Sequence, residues 1–115
     1  TNKIKMKKII KITKLYFKYF SSHNIKQLTV LFDKNIKLQD WTSKVSGKKN
    51  VLNFNRKIFT ENPKIKVKVK NIFFKKNICC CEIIVKLNNK TNINVIDLIS
   101  FNKKFLINKI IAYKC

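Results

Sequence analysis

The sequence predicts an α+β domain, an antiparallel sheet covered on one side by helices. Three observations carry that prediction. Apolar residues recur at spacings of three and four near the start, the later half switches to alternation with period two, and short Asn- and Lys-containing breaks separate the later apolar runs. Helices segregated from strands, with turns too short for crossovers, make neighbouring strands antiparallel. The expected order is α-α-β-α-β-β-β-β.

Residues 5 to 22 place Ile9, Ile12, Tyr16, Tyr19 and Phe20 along one stripe, with Lys over much of the opposite surface, as in an amphipathic helix. Asn24 is a suitable N-cap with Gln27 in the third helical position, and Leu28, Leu31 and Phe32 complete a short second helix that Asp33-Lys-Asn35 ends. From Asn35 to Trp41 the period becomes two, which is a strand. TSKVSG contains the only glycine, Gly47, and leads into a third helix with Val51, Phe54 and Ile58 on its buried side. Asn62-Pro63 closes that helix. PKIKVKVKNIFF then alternates strictly, followed by NICCCEIIVKL, TNINVIDLISF and FLINKIIAY as three further strands.

A chain of 115 residues with 45% apolar content suits one domain, 1–115, and can bury a core despite a net charge of +22. Of 27 basic residues against five acidic ones, only Arg56 is Arg. Recognition of phosphates and base edges favours the planar Arg fork, so the composition argues against a dedicated nucleic-acid protein. AT-rich codons for Lys, Ile and Asn account for the bias. A polyanion partner stays open as a rival reading, since any Lys surplus attracts polyanions.

Cys79, Cys80 and Cys81 point to alternate faces of a strand, and with Cys115 they form neither a spaced metal cage nor an expected disulfide. They read as small apolar residues in a reducing compartment, and no metal or organic cofactor is implied. The Ile-rich start is broken by Lys every few positions, which excludes a signal peptide and a membrane span. The expected location is cytoplasmic.

Among so many lysines the scarce acids are informative. Asp40 follows Ile36 and Leu38 on an apolar strand face, and Asp97 sits among Ile93, Val95, Ile99 and Phe101. A carboxyl on a buried face is paired or kept protonated, a state suited to acid/base work near neutral pH. Either acid could instead tether a backbone N–H or a Lys, and Ile96 and Leu98 make the other face of Asp97's strand apolar as well. His23 reads as a loop or cap residue. Glu82 has an ambiguous face, open to a pocket wall or to a salt bridge with a cross-strand Lys, and Trp41 and Phe73 read as core aromatics ahead of a pocket wall or dimer surface.

The run LYFKYFSSHNIKQLTVLFDKNIKLQDW resembles the opening of the nuclear transport factor 2-like superfamily, which includes SnoaL-like polyketide cyclases and ketosteroid isomerases. Ser46-Gly47 opening a helix with Phe54 is similar to that family's turn, and VIDLISFNKKFLINKIIAY resembles its terminal hairpin. The resemblance spans residues 9 to 113. It implies a cone, a curved antiparallel sheet wrapped around the helices and enclosing an apolar pocket, often dimeric through the sheet's outer face. On the isomerase pattern Asp40 falls on the proton-transferring base, with Tyr16 and a protonated Asp97 on the two donors to the enolate oxygen. Trp41 departs from the pattern, where Pro commonly follows the base, and so does Asn55, where a further tyrosine can stand. The implied ligand is small, apolar and carbonyl-containing. The implied activity is isomerisation or cyclisation beside that carbonyl. The alternative is a non-catalytic dimeric binding module of the same fold, and Tyr16 would then be a core aromatic.

Overall fold

The computed structural model describes residues 2–115. α1 (Asn2–Ser21) begins at Asn2 rather than at residue 5 and buries Ile9, Thr13, Tyr16 and Phe17. Thr13 belongs to this stripe because its hydroxyl donates to the Ile9 carbonyl at 2.9 Å and so is satisfied inside the helix. At α2 (Ile25–Leu31) the Asn24 side chain accepts from the Gln27 N–H, as its sequence position predicts.

His23, expected to be a loop or cap residue, joins these helices with a left-handed backbone at φ 55. Its ring stacks on Phe59 at 4.3 Å and its Nε2 lies 2.9 Å from the Ile65 carbonyl. A carbonyl only accepts, so Nε2–H donates and ties the α1–α2 turn to the connection that follows the third helix.

Phe32 leaves the second helix and opens β1 (Phe32–Gln39), which pairs with a short β2 (Lys44–Ser46) inside the stretch expected to be a loop. Gly47 then takes φ 90, donates its N–H to the Ile36 carbonyl and caps α3 (Lys48–Glu61). An L side chain at this φ is strained, which is why the only glycine stands here. α3 buries Val51, Leu52, Asn55 and Phe59, with Phe54 and Ile58 half-buried. The remaining strands are β3 (Lys66–Lys75), β4 (Ile78–Lys86), β5 (Asn92–Phe101) and β6 (Ile107–Lys114).

The sheet order is β2-β1-β6-β5-β4-β3. The expected antiparallel pairing holds except between β1 and β6, which run parallel. The sheet is therefore mixed. A parallel pair needs a long connection, and nearly the whole chain between β1 and β6 supplies it. Irregularities between Phe32 and Lys37, Val69 and Asn71, and Ser100 and Phe101 bend the strands. The result is a curved, unclosed sheet whose concave side receives the helices: α1 lies against β3 and β4, and α3 against β1 and β2.

Buried Cys79, Cys81, Ile83, Val95 and Ile99 face those helices. On the other side, Phe73, Cys80, Leu98 and Ile111 stand in register across four strands. Phe73 is 62% exposed there, so it is an outer-face residue and not a core aromatic. Lys70 and Glu82, 3.8 Å apart, form the only salt bridge among the described residues. No helix among them is long and apolar enough to cross a membrane.

Candidate functional site

Between α1, α3 and the concave face of the sheet lies a cavity of about 360 Å³. Its walls are mostly apolar, including Phe20, Val67, Ile83, Val95 and Ile110. Tyr16, Asp40 and Asp97 all line it, each delivered by a different element.

Tyr16 stands on the inner face of α1 and is 4% exposed, its ring held by Phe17, Phe20 and Phe32 at centroid distances of 5.2, 6.2 and 6.1 Å. Its hydroxyl has no hydrogen-bond partner among the described residues. Burial, and then the nearby Asp97 and Cys81, push its pKa well above the ordinary tyrosine value. It therefore stays a neutral O–H donor at any physiological pH.

Asp97 is at the middle of β5, opposite Cys81 on β4 and Ala112 on β6. The face that the sequence left open is the concave one, shared with buried Val95, Ile99 and Phe101, while Ile96 and Leu98 turn outward half-buried. The carboxyl is 6% exposed and has no hydrogen-bond partner within the described chain. Burial alone pushes its pKa up to about 7. Below that pH the group is an acid with a proton to donate.

Asp40 is placed differently from its expected strand position. β1 ends at Gln39, and Asp40 begins a turn at the rim of the cavity, half-buried. Its Oδ1 accepts from Thr42 N at 2.8 Å, Thr42 Oγ1 at 3.0 Å and Ser43 N at 2.7 Å, while its own N–H bonds to the Ser43 carbonyl. These bonds fix the carboxylate and leave Oδ2 without a partner. Thr42 and Ser43 were not singled out from the sequence, although Asp-x-Thr-Ser is a readable signal for a side-chain-closed turn. Trp41, expected in the core, is 47% exposed at the same rim.

One further polar residue enters the cavity from α3. Asn55 is 1% exposed and its Oδ1 has no hydrogen-bond partner. Its signals in the sequence are a polar residue within the Val51, Leu52, Phe59 stripe and the departure from the isomerase pattern at this position.

Two further titratable residues, the exposed Lys57 and Glu61 of α3, also line the cavity. Glu82 is on the outer face, where it accepts from Asn71 Nδ2 at 2.7 Å. Burial raises the pKa of Cys79 and Cys81, so neither is an activated thiolate. No group of three or more His, Cys, Asp or Glu among the described residues could hold a metal ion.

No protein-family model matches the sequence. No curated protein matches it either. Solved structures do match in shape. A protein from Kribbella flavida provisionally described as a ketosteroid isomerase superposes with a TM-score of 0.83 at 11% identity, over 95% of this chain and 78% of that one. A nuclear transport factor 2-like protein of unknown function from Cytophaga hutchinsonii gives a TM-score of 0.81 at 16% identity, over 93% and 89% of the two chains. A de novo designed protein with a curved β-sheet reaches 0.80 at 15% identity, over 95% of this chain and 86% of the design. At these identities the likeness establishes the shape alone, and the designed protein shows that the shape can be built without a natural activity.

Proposed function

We propose that this chain, which has the nuclear transport factor 2-like fold, binds a small apolar molecule carrying a carbonyl group in the cavity between its helices and sheet. The observation that carries the reading is the pairing of Tyr16 and Asp97. Two buried side chains able to donate hydrogen bonds meet one apolar cavity, and neither has a partner within the described chain. Buried polar groups are normally satisfied, and a carbonyl oxygen, which accepts two bonds, would satisfy both at once.

With Asp40 as base, the same arrangement supports proton transfer beside the carbonyl. Asp40 takes a proton from the carbon next to the C=O, the electron pair moves onto oxygen, and Tyr16 and protonated Asp97 hydrogen-bond the resulting enolate. Returning the proton, to the same carbon or to a conjugated one, completes exchange or isomerisation. A test uses 1-tetralone in D2O near pH 6.5, with exchange at the carbon beside its carbonyl followed by NMR. Wild type accelerates exchange, Asp40→Asn abolishes the acceleration, and Tyr16→Phe and Asp97→Asn each reduce it by about tenfold or more. Exchange in Asp40→Asn equal to wild type would remove the base assignment.

The turn bonds of Asp40 favour a second reading, in which that residue only closes the rim and the domain binds without catalysis. Binding that depends on Tyr16 and Asp97, with no exchange above background, is its signature. In either case we propose a homodimer through the outer face of the sheet. The row of Phe73, Cys80, Leu98 and Ile111 is one apolar band, and a two-fold pair buries the same band on both copies.

A further inference from the structure

We propose that Asn55 selects ligands bearing a hydrogen-bond donor, a hydroxyl or an N–H, on the part of the molecule that reaches α3. The inference rests on the small-molecule reading above and adds a second polar point to the ligand. Asn55 occupies the buried stripe of α3 with Val51, Leu52 and Phe59, where an apolar residue is the default. The other asparagines of that helix are engaged: Asn50 donates to the Ser46 carbonyl and Asn53 accepts from Arg56. Asn55 lines the cavity, is 1% exposed, and leaves its Oδ1 without a partner.

An enclosed amide oxygen without a donor carries a desolvation penalty that an apolar side chain of the same size would not. A donor arriving with the ligand removes that penalty on binding. The preference this creates is steep, because a molecule lacking the donor leaves the oxygen unpaired within the buried stripe of α3. The carbonyl held by Tyr16 and Asp97 accepts, whereas the group meeting Asn55 donates. The two ends of the ligand are thereby distinguished, which fixes its direction in the cavity.

The experiment compares 1-tetralone, its 5-, 6- and 7-hydroxy derivatives and the matching methoxy ethers, with binding read by calorimetry on wild type, Asn55→Leu, Asn55→Ala and Asp97→Asn. At least one hydroxy isomer is expected to bind wild type about tenfold or more tighter than both the parent and its own ether. Asn55→Leu erases that preference, and its unliganded melting temperature rises. Should Asn55→Leu fold poorly, Asn55→Ala gives the same affinity comparison. Parent binding that depends on Asp97, without any hydroxyl preference, overturns the role of Asn55 and leaves the carbonyl site standing. A preference that survives both Asn55 substitutions also overturns it. Ethers that match the hydroxy compounds show that Asn55 presents its N–H and overturn the requirement for a donor. Failure of every tetralone to bind wild type overturns the carbonyl reading and this inference together.

Discussion

Asp97 makes stability depend on pH in the direction opposite to an ion-paired carboxylate. Its pKa rises from an ordinary 3.8 to about 7 because burial disfavours the charged form. Between those values the folded chain holds a proton that the unfolded chain has released. Stability from this residue is therefore complete below about pH 4, falls as pH rises towards 7, and levels off above it. The interval is a little over three pH units, each equivalent to about 1.4 kcal/mol, so wild type loses about 4 kcal/mol between pH 4 and pH 8 from this group. Asp97→Asn keeps the shape and cannot ionise. The assay is urea unfolding of both proteins across that range, with the difference between the two curves isolating Asp97 from the remaining titrations. The curves should diverge by about 4 kcal/mol, the asparagine variant becoming relatively more stable as pH rises. Parallel curves would refute the reasoning, since they would mean that the carboxyl is solvated or paired.

Three other outcomes follow from the same structure. Gly47→Ala, which forces an L residue to φ 90, should lower stability by about 1–3 kcal/mol in chemical unfolding. With a net charge of +22 and one salt bridge among the described residues, raising sodium chloride from 20 to 500 mM, roughly a fivefold shortening of the screening length, should raise the melting temperature. An unchanged or lower value would show that mutual repulsion is not a burden on the fold. Leu98→Lys, on the outer face, should leave the fold intact by circular dichroism and convert a dimer to monomer in sedimentation equilibrium.

The parts legible in the sequence are those where one periodicity dominates. The α1 stripe and the alternation of β3 required no knowledge of neighbours, and nor did the capping of α2 by Asn24. Asp97 was harder because β5 is interior to the sheet and apolar on both faces, so only its neighbours reveal that Val95 and Ile99 share the concave side. Asp40 was misplaced for a local reason: alternation continues through Leu38, but the bonds from Thr42 and Ser43 end the strand before the next residue in phase. The short β2 carries no alternation of its own, with Lys44 and Ser46 exposed and Val45 half-buried. Its existence depends on β1. The parallel β1–β6 pair was invisible because pairing of segments so far apart is decided by the shape of the whole sheet. Asn55 was visible as a polar interruption, but its empty oxygen is a property of the packed core.

The position of β6 has a consequence for how the chain is made. It is the last strand in sequence, yet it lies between β1 and β5 in the interior of the sheet. Until residues 107–114 have left the ribosome, β1 lacks its inner partner, β5 has an open edge, and the wall formed by Ile110 and Ala112 is missing. β1 must wait for β6. Such long-range closure slows folding and leaves two unpaired edges exposed during synthesis. The lysines on the early helices keep that waiting intermediate charged, and like charge holds neighbouring nascent chains apart.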